Sequence, residues 1–491
     1  MDERRAPGAT DDLCRWSAVE AVAAVRAARI AVSDYVEALL DRAHAERPSN
    51  AFITLDESGA RARAADLDAR VAAGDAPELA GLVVVVKDNI DVAGLPTTGG
   101  TPALRYRRAH TTAPSVQRLV DAGATVLGKT NMHELAFGAT STNLSPFAGP
   151  VRNPHRPDLV AGGSSGGTAV AVAVGAAPAG LGTDTGGSTR VPAALTGIVG
   201  FRPSVGDGGP QRRYHDAGSV VPISRTRDTV GPMARTVADV ALLDAVVTGA
   251  TETPTVDPRT LRLGIPACLW SGLDPALEVV VHRQLDLLAT AGVTLVEADL
   301  PELFELNGAV SFPVALHEPR TDIPDYLRAT AVDGTTLDDI VRGIASPDVR
   351  QVFAAVTGDA LGAQYDDAVR VHRPALQALY GDYFARHDVA AILFPTTVLP
   401  AFPHDLEAGS STVRVGSAAP TDTFGTAIRN TDPASNAGLP GLSLPAGATA
   451  DRLPVGLEID GPLGSDRRLL AVGAVLESLL EPTPPAPPAS R

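Results

Sequence analysis

Three residues stand where their types could do chemistry: Lys87 at the end of an apolar run, Ser164 in a glycine-walled turn, and Ser188 closing a glycine-rich loop. Val83-Val84-Val85-Val86 is a short β-branched run opened by Gly81 and closed by Lys87-Asp88-Asn89, the pattern of a fully buried strand. A lysine leaving such a strand carries its amine near low-dielectric surroundings. Desolvation disfavours the charged form by up to ~3–5 units from a reference of about 10.4, which leaves an amine able to take a proton from serine near neutrality. Gly162-Gly163-Ser164-Ser165-Gly166-Gly167 sets two hydroxyls among four glycines, so the backbone can turn sharply and approach another group closely. Gly182-Thr183-Asp184-Thr185-Gly186-Gly187-Ser188 offers consecutive backbone N–H groups just ahead of a serine, an arrangement that can hold a developing oxyanion about 3 Å away. On this reading Ser188 is the nucleophile, Ser164 the bridge and Lys87 the base, a triad logic with serine and lysine in place of histidine and aspartate. Such an arrangement would suit the hydrolysis of an amide.

Each feature also has a rival reading. Gly162-Gly163-Ser164-Ser165-Gly166 fits the G-x-S-x-G elbow, which would make Ser164 the nucleophile and require a downstream Asp and His. Pro157–Ala161 makes a poor strand to precede such an elbow, and His372, His387 and His404 sit in polar settings typical of solvated residues. Gly123 to Thr130 satisfies G-x4-G-K-T, but Thr125-Val126-Leu127 reads as a strand that uses its own N–H groups rather than a phosphate cradle. His133-Glu134 has Phe137 rather than a ligand at i+4, which favours a polar helix-end role over a metal site. Taken alone, Lys87 reads as a strand-end lysine snorkelling to solvent; the two glycine-serine turns reverse that preference. Asp184 and Arg190 flank Ser188 and are expected to pair and fix the loop as structural support, with a substrate-carboxylate clamp at Arg190 as the alternative.

The elements that must position these residues read as α/β: a central mixed, twisted β-sheet covered by helices on both faces. Residues 17–45 and 59–73 carry apolar residues at helical spacing, so 1–75 is expected to be an N-terminal helical region. Residues 76–250 form the core, 251–400 a helical region that shapes the substrate pocket, and 401–480 the remainder of the same α/β domain. The proline-rich stretch 481–491 is expected to be extended or disordered. Residues 168–177 alternate like a strand yet are alanine-rich like a helix, and periodicity does not decide between them. A formal charge of −16 argues against a nucleic-acid partner. Cys14 and Cys268 offer neither a disulfide framework nor metal spacing, Met1–Trp16 lacks a signal pattern, and no apolar run reaches the ~18 residues of a membrane span. A cytoplasmic protein without cofactor or metal is expected, its partner a small-molecule amide, with homodimer formation left open.

Over much of its length the chain resembles the amidase signature family. The likeness is carried by Val86-Lys87-Asp88-Asn89-Ile90, Gly128-Lys129-Thr130-Asn131-Met132-His133-Glu134, the double-glycine serine turn, Asp184-Thr185-Gly186-Gly187-Ser188-Thr189-Arg190, Asn436-Ala437-Gly438-Leu439-Pro440 and Pro454-Val455-Gly456-Leu457. The resemblance implies the family's fold, Lys87 as general base, Ser164 as a bridging serine after a cis peptide bond, and Ser188 as the acylated nucleophile. It further implies an oxyanion hole from the N–H groups of Thr185, Gly186, Gly187 and Ser188, and an acyl pocket lined by Phe137 and Gly138, although Phe137 reads equally well as packing. It favours a helix for 168–177. Leu95 to Leu104, Val221 to Thr229 and Ile428 to Asp432 are closest in wording to indoleacetamide and mandelamide hydrolases, which implies small neutral aryl-acetamide-like substrates. Esters, carbamates and anilides stay open as substrates, as does an amidotransferase-type role supplying ammonia to a partner.

Overall fold

The computed structural model describes residues 12–252, 254–330 and 334–487. Its frame is an eleven-stranded sheet. In chain order the strands are β1 (Phe52–Leu55), β2 (Val83–Lys87), β3 (Thr125–Thr130), β4 (Ala179–Asp184), β5 (Val199–Arg202), β6 (Thr229–Ala234), β7 (Arg262–Gly264), β8 (Thr294–Val296) and β9 (Ala391–Pro395). After a two-stranded ribbon of β10 (Thr412–Val413) and β11 (Thr421–Asp422) come β12 (Gly441–Ala448) and β13 (Pro454–Asp460). The spatial order is β1-β3-β2-β4-β6-β5-β12-β13-β9-β7-β8. β3, β2 and β4 run parallel, as do β9, β7 and β8, while the pairs from β4 to β9 through the middle are antiparallel. The sheet is therefore mixed.

Alternation along β2 shows why its valines are all buried. Val84 and Val86 join the core formed with helices Pro114–Asp121, Val237–Thr248 and Asp466–Leu479, whereas Val83 and Val85 join the opposite core with helices Val32–Ala45, Glu57–Ala72 and Gly166–Ala173. Both faces are covered, so no position on this strand favours a polar residue on solvation grounds. The period of two then places Lys87 on the face shared with Val83 and Val85, toward the helix that follows Ser164. Residues 166–173 are that helix, buried from Gly166 to Val172; the alternation of alanine and valine there reflects all-round burial rather than a strand.

Several boundaries differ from the sequence reading. The 1–75 region is not wholly helical: β1 pairs antiparallel with β3 (Phe52 opposite Thr130, Leu55 opposite Gly128), a four-residue strand too short to show a period. Its helical stretch 17–45 divides into Ala18–Arg26 and Val32–Ala45, with Ala28 in the left-handed region between them. The 251–400 region contributes β7, β8 and β9, three short strands that complete one edge of the sheet, in addition to its helices. At the tail, Glu481 N–H donates to Gln284 Oε1 at 2.9 Å and Thr483 Oγ1 to the Gly447 carbonyl at 3.0 Å. The beginning of the proline-rich stretch is thus pinned rather than free; from residue 488 it lies outside the described residues. Among the described residues no helix is long and apolar enough to cross a membrane.

Candidate active site

β2 and β4 are adjacent parallel strands, and their carboxyl ends deliver Lys87 and Thr183 side by side. Crevices outside the carboxyl ends of parallel strands are where α/β sheets place ligands. Lys87 Nζ donates to Ser164 Oγ at 2.7 Å and to Thr183 Oγ1 at 2.7 Å, and Asn89 Nδ2 donates to the same threonine oxygen at 3.1 Å. The lysine is fully buried. Burial lowers its pKa to about 7, against the opposing fields of Asp184 and Asp228. It does not snorkel.

Ser164 follows a cis Gly163–Ser164 peptide bond, and its carbonyl accepts the His133 N–H at 3.1 Å. The next residue ties this turn to the second loop: Ser165 N–H donates to the Ser188 carbonyl at 3.2 Å, and Ser165 Oγ donates to the Thr183 carbonyl at 3.2 Å. Ser188, half-buried, lines a cavity of about 310 Å³ together with Phe137, Gly138, Phe312, Phe424 and Ile428. Phe137 also packs edge-on against Phe353 with ring centroids 4.8 Å apart, so it serves the cavity wall and the core together. Gly138 has a steric reason: a Cβ there would meet the His133 ring at 2.2 Å.

The loop carrying Ser188 is held by buried ions. Asp184 accepts from Gly187 N–H at 3.0 Å and from Thr189 N–H at 3.1 Å, and it pairs with Arg190 at 2.9 Å and Arg202 at 3.2 Å. Burial alone would raise its pKa, but the two guanidiniums hold it well below the usual carboxylate range. Arg190 is fully buried and donates further to Glu458, to the Thr431 carbonyl at 3.0 Å and to Ser435 Oγ at 2.6 Å. Its fork is occupied by the protein, which leaves none of it to clamp a substrate carboxylate. One element of the expected oxyanion hole changes: the Gly187 N–H is already committed to Asp184, leaving Thr185, Gly186 and Ser188 as the candidates. Gly187 has φ +135°, and a Cβ on it would meet Thr431 Oγ1 at 2.2 Å, so only glycine fits this contact.

Residues beyond those singled out from the sequence also shape the site. Thr185 Oγ1 donates to Asp228 Oδ1 at 2.6 Å, while the N–H groups of Ile223 and Ser224 reach Asp228 Oδ2 at 2.8 and 2.9 Å. Thr431 Oγ1 donates to the Gly186 carbonyl at 2.6 Å. Thr183 and Thr431 resemble any strand or turn threonine in sequence; the wording around Asp228 and Thr431 was the sole available signal.

The rival motifs find other uses. β3 is paired on both sides, with β2 and with β1, so the G-x4-G-K-T stretch spends its N–H groups in the sheet. Lys129 donates to the Pro96 carbonyl at 2.8 Å and lies 3.4 Å from Asp88. His133 Nε2 lies 3.0 Å from Asp348 Oδ2, whereas Glu134 accepts the N–H groups of Ala345 and Ser346; the two side chains serve different partners. His404 is not solvated as its polar neighbours suggested. It is half-buried against Thr142 Oγ1 at 3.0 Å, and burial lowers its pKa to about 4.

The amidase family model matches residues 34–470. An indoleacetamide hydrolase of Rhizobium radiobacter is 44% identical over 451 residues, covering 91% of this chain and 93% of its own. A mandelamide hydrolase of Pseudomonas putida is 41% identical over 501 residues, covering 98% and 95%. Among solved structures, one amidase crystal structure aligns with a TM-score of 0.81 at 34% identity, covering 95% of this chain and all of its own. The peptide amidase of Stenotrophomonas maltophilia aligns with a TM-score of 0.80 at 28% identity, covering 97% and 99%.

Proposed function

Since the chain belongs to the amidase family and is an amide hydrolase, we propose that it cleaves a small, neutral, aryl-acetamide-like amide through Lys87, Ser164 and Ser188. The observation that carries this reading is the 2.7 Å contact between a desolvated lysine amine and Ser164 Oγ. With its pKa lowered to about 7, the amine is substantially neutral near pH 7 and can act as a base.

In the proposed reaction Ser188 Oγ attacks the carbonyl carbon. Its proton passes to Ser164 Oγ, and the proton of Ser164 passes to Lys87 Nζ. The carbonyl π electrons move onto oxygen, and the N–H groups of Thr185, Gly186 and Ser188 stabilise that charge. When the oxyanion collapses, the C–N bond breaks with its electron pair on nitrogen, which takes a proton back from lysine through Ser164. Ammonia or an amine departs. Water then repeats the transfer on the ester, releasing the carboxylic acid and restoring Ser188. Phe312, Phe424 and Ile428 around Ser188 supply apolar and aromatic surface suited to a flat aryl group.

Intact-mass measurement on acid-quenched turnover of an aryl-acetamide, with hydroxamate release on adding hydroxylamine as a separate readout, tests the reading. The wild type should carry an acyl adduct that Ser188→Ala lacks, and Ser164→Ala should form it much more slowly. An adduct persisting in Ser188→Ala and lost in Ser164→Ala would reverse the two serines. Steady turnover by the isolated chain would distinguish a self-sufficient hydrolase from a subunit that supplies ammonia to a partner.

A further inference from the structure

A second cavity, also of about 310 Å³, lies across the catalytic loop from the first and shares Ala136, Thr185 and Ile223 with it. The two differ in what else they reach. Ser188 and Phe137 line the first alone; Thr183 and Asn89, the residues grouped around the Lys87 amine, line the second alone. Asn89 is buried and spends its Nδ2 on Thr183, while its Oδ1 is buried without a hydrogen-bond donor. Buried acceptors are seldom left without a donor. Four carboxylates also line this cavity, but the protein engages each of them: Asp216 through Ser115, Asp228 through Thr185, Ile223 and Ser224, Asp322 through Arg225, and Asp325 through Arg328.

We infer that this second chamber receives the amine half of the substrate and favours amines that carry hydrogen-bond donors. The inference rests on the serine–lysine reading above. A tetrahedral carbon on Ser188 cannot send its acyl and amine substituents in the same direction, and the nitrogen must face the group that protonates it. That group is Ser164, fed by Lys87, so the nitrogen leaves toward the lysine side. The chamber bounded by Asn89 and Thr183 lies on that side, and the unpartnered Asn89 Oδ1 there offers an acceptor to an amine N–H. Acyl selectivity and amine selectivity then belong to separate walls, divided by Thr185 and Ile223.

The test holds one aryl-acetyl group constant and varies the amine: the primary amide, the N-propyl amide and the N-(2-aminoethyl) amide. Ala217 and Ala329, two exposed residues on the chamber wall, are replaced in A217W and A329W to fill it. Each should lower kcat/KM for the N-propyl amide at least about tenfold more than for the primary amide, the scale of discrimination that steric exclusion of a few methylenes provides. The wild type should prefer the aminoethyl over the propyl amide, and Asn89→Leu, which removes the unpartnered acceptor, should shrink that preference. V352W, on the wall of the first cavity, should lower all three amides alike. If A217W and A329W leave the ratio of propyl to primary amide unchanged while the primary amide is turned over, the inference is overturned and the serine–lysine reading stands. If the wild type hydrolyses none of the three and forms no acyl adduct, both fall.

Discussion

Lys87 spends a full burial on an amine, and that has consequences in two directions. For activity, the proposed reaction uses the neutral form as base, so kcat/KM should rise with pH through a midpoint near 7 and level off above it. A pH–rate profile on the purified enzyme checks this; a maximum near pH 5 would remove Lys87 from the role. For stability the sign is also fixed. The unfolded chain holds the lysine proton up to about pH 10.4, the folded chain only to about 7, so stability rises with pH across that window. Lys87→Met removes a penalty on the order of 4 kcal/mol that is full below pH 7 and gone above the unfolded value. Its stabilisation over the wild type should therefore be large in denaturant melts at pH 6.5 and small near pH 10, alongside a loss of activity. Thr183→Val withdraws an acceptor from the charged amine, which should move the activity midpoint below that of the wild type and lower kcat by roughly 10–100-fold with KM little changed. Lys87, Ser164 and Ser188 could be singled out in the sequence because glycines and a strand end set them apart from ordinary residues. Thr183 could not, because a lone threonine near the end of a glycine-rich strand shows nothing in sequence of the amine it will face.

At the scale of elements, glycine placement decides how closely the catalytic loop meets its support. Gly187→Ala puts a methyl 2.2 Å from Thr431 Oγ1 at a φ that L-residues avoid, which should cost about 1–3 kcal/mol. Because the same backbone carries Ser188, the loss in kcat should exceed the loss in stability; thermal melts and kinetics on one preparation separate the two. Sequence period told less where elements were short or wholly buried. β1 is four residues long and hides inside a helical region, and β7 and β8 are three each. The helix 166–173 is buried all round, so its pattern carries neither a period of two nor one of 3.6. What its sequence does show is where it starts, in the glycines that turn the chain after Ser164.

For the whole molecule, the Asp184 cluster joins parts of the chain far apart in sequence: Arg190 just after β4 and Arg202 at the end of β5, Thr431, Ser435 and Glu458 near the end. Asp184→Asn keeps the shape but leaves two buried guanidiniums short of a countercharge, which should destabilise the fold by about 3–5 kcal/mol. Denaturant midpoints at neutral pH would measure it, and a change under 1 kcal/mol would show that Glu458 and the backbone carbonyls suffice. No motif announced this cluster, because an ion pair closed across more than two hundred residues leaves no local pattern; only the near pair, Asp184 with Arg190, could be read in advance. The order of the sheet carries one more lesson. β12 and β13, among the last elements made, sit between β5 and β9 and join what would otherwise be two separate half-sheets. A nascent chain halted before Gly441 would therefore carry Lys87, Ser164 and Ser188 without the strands that close the sheet or the Glu458 carboxylate that meets Arg190.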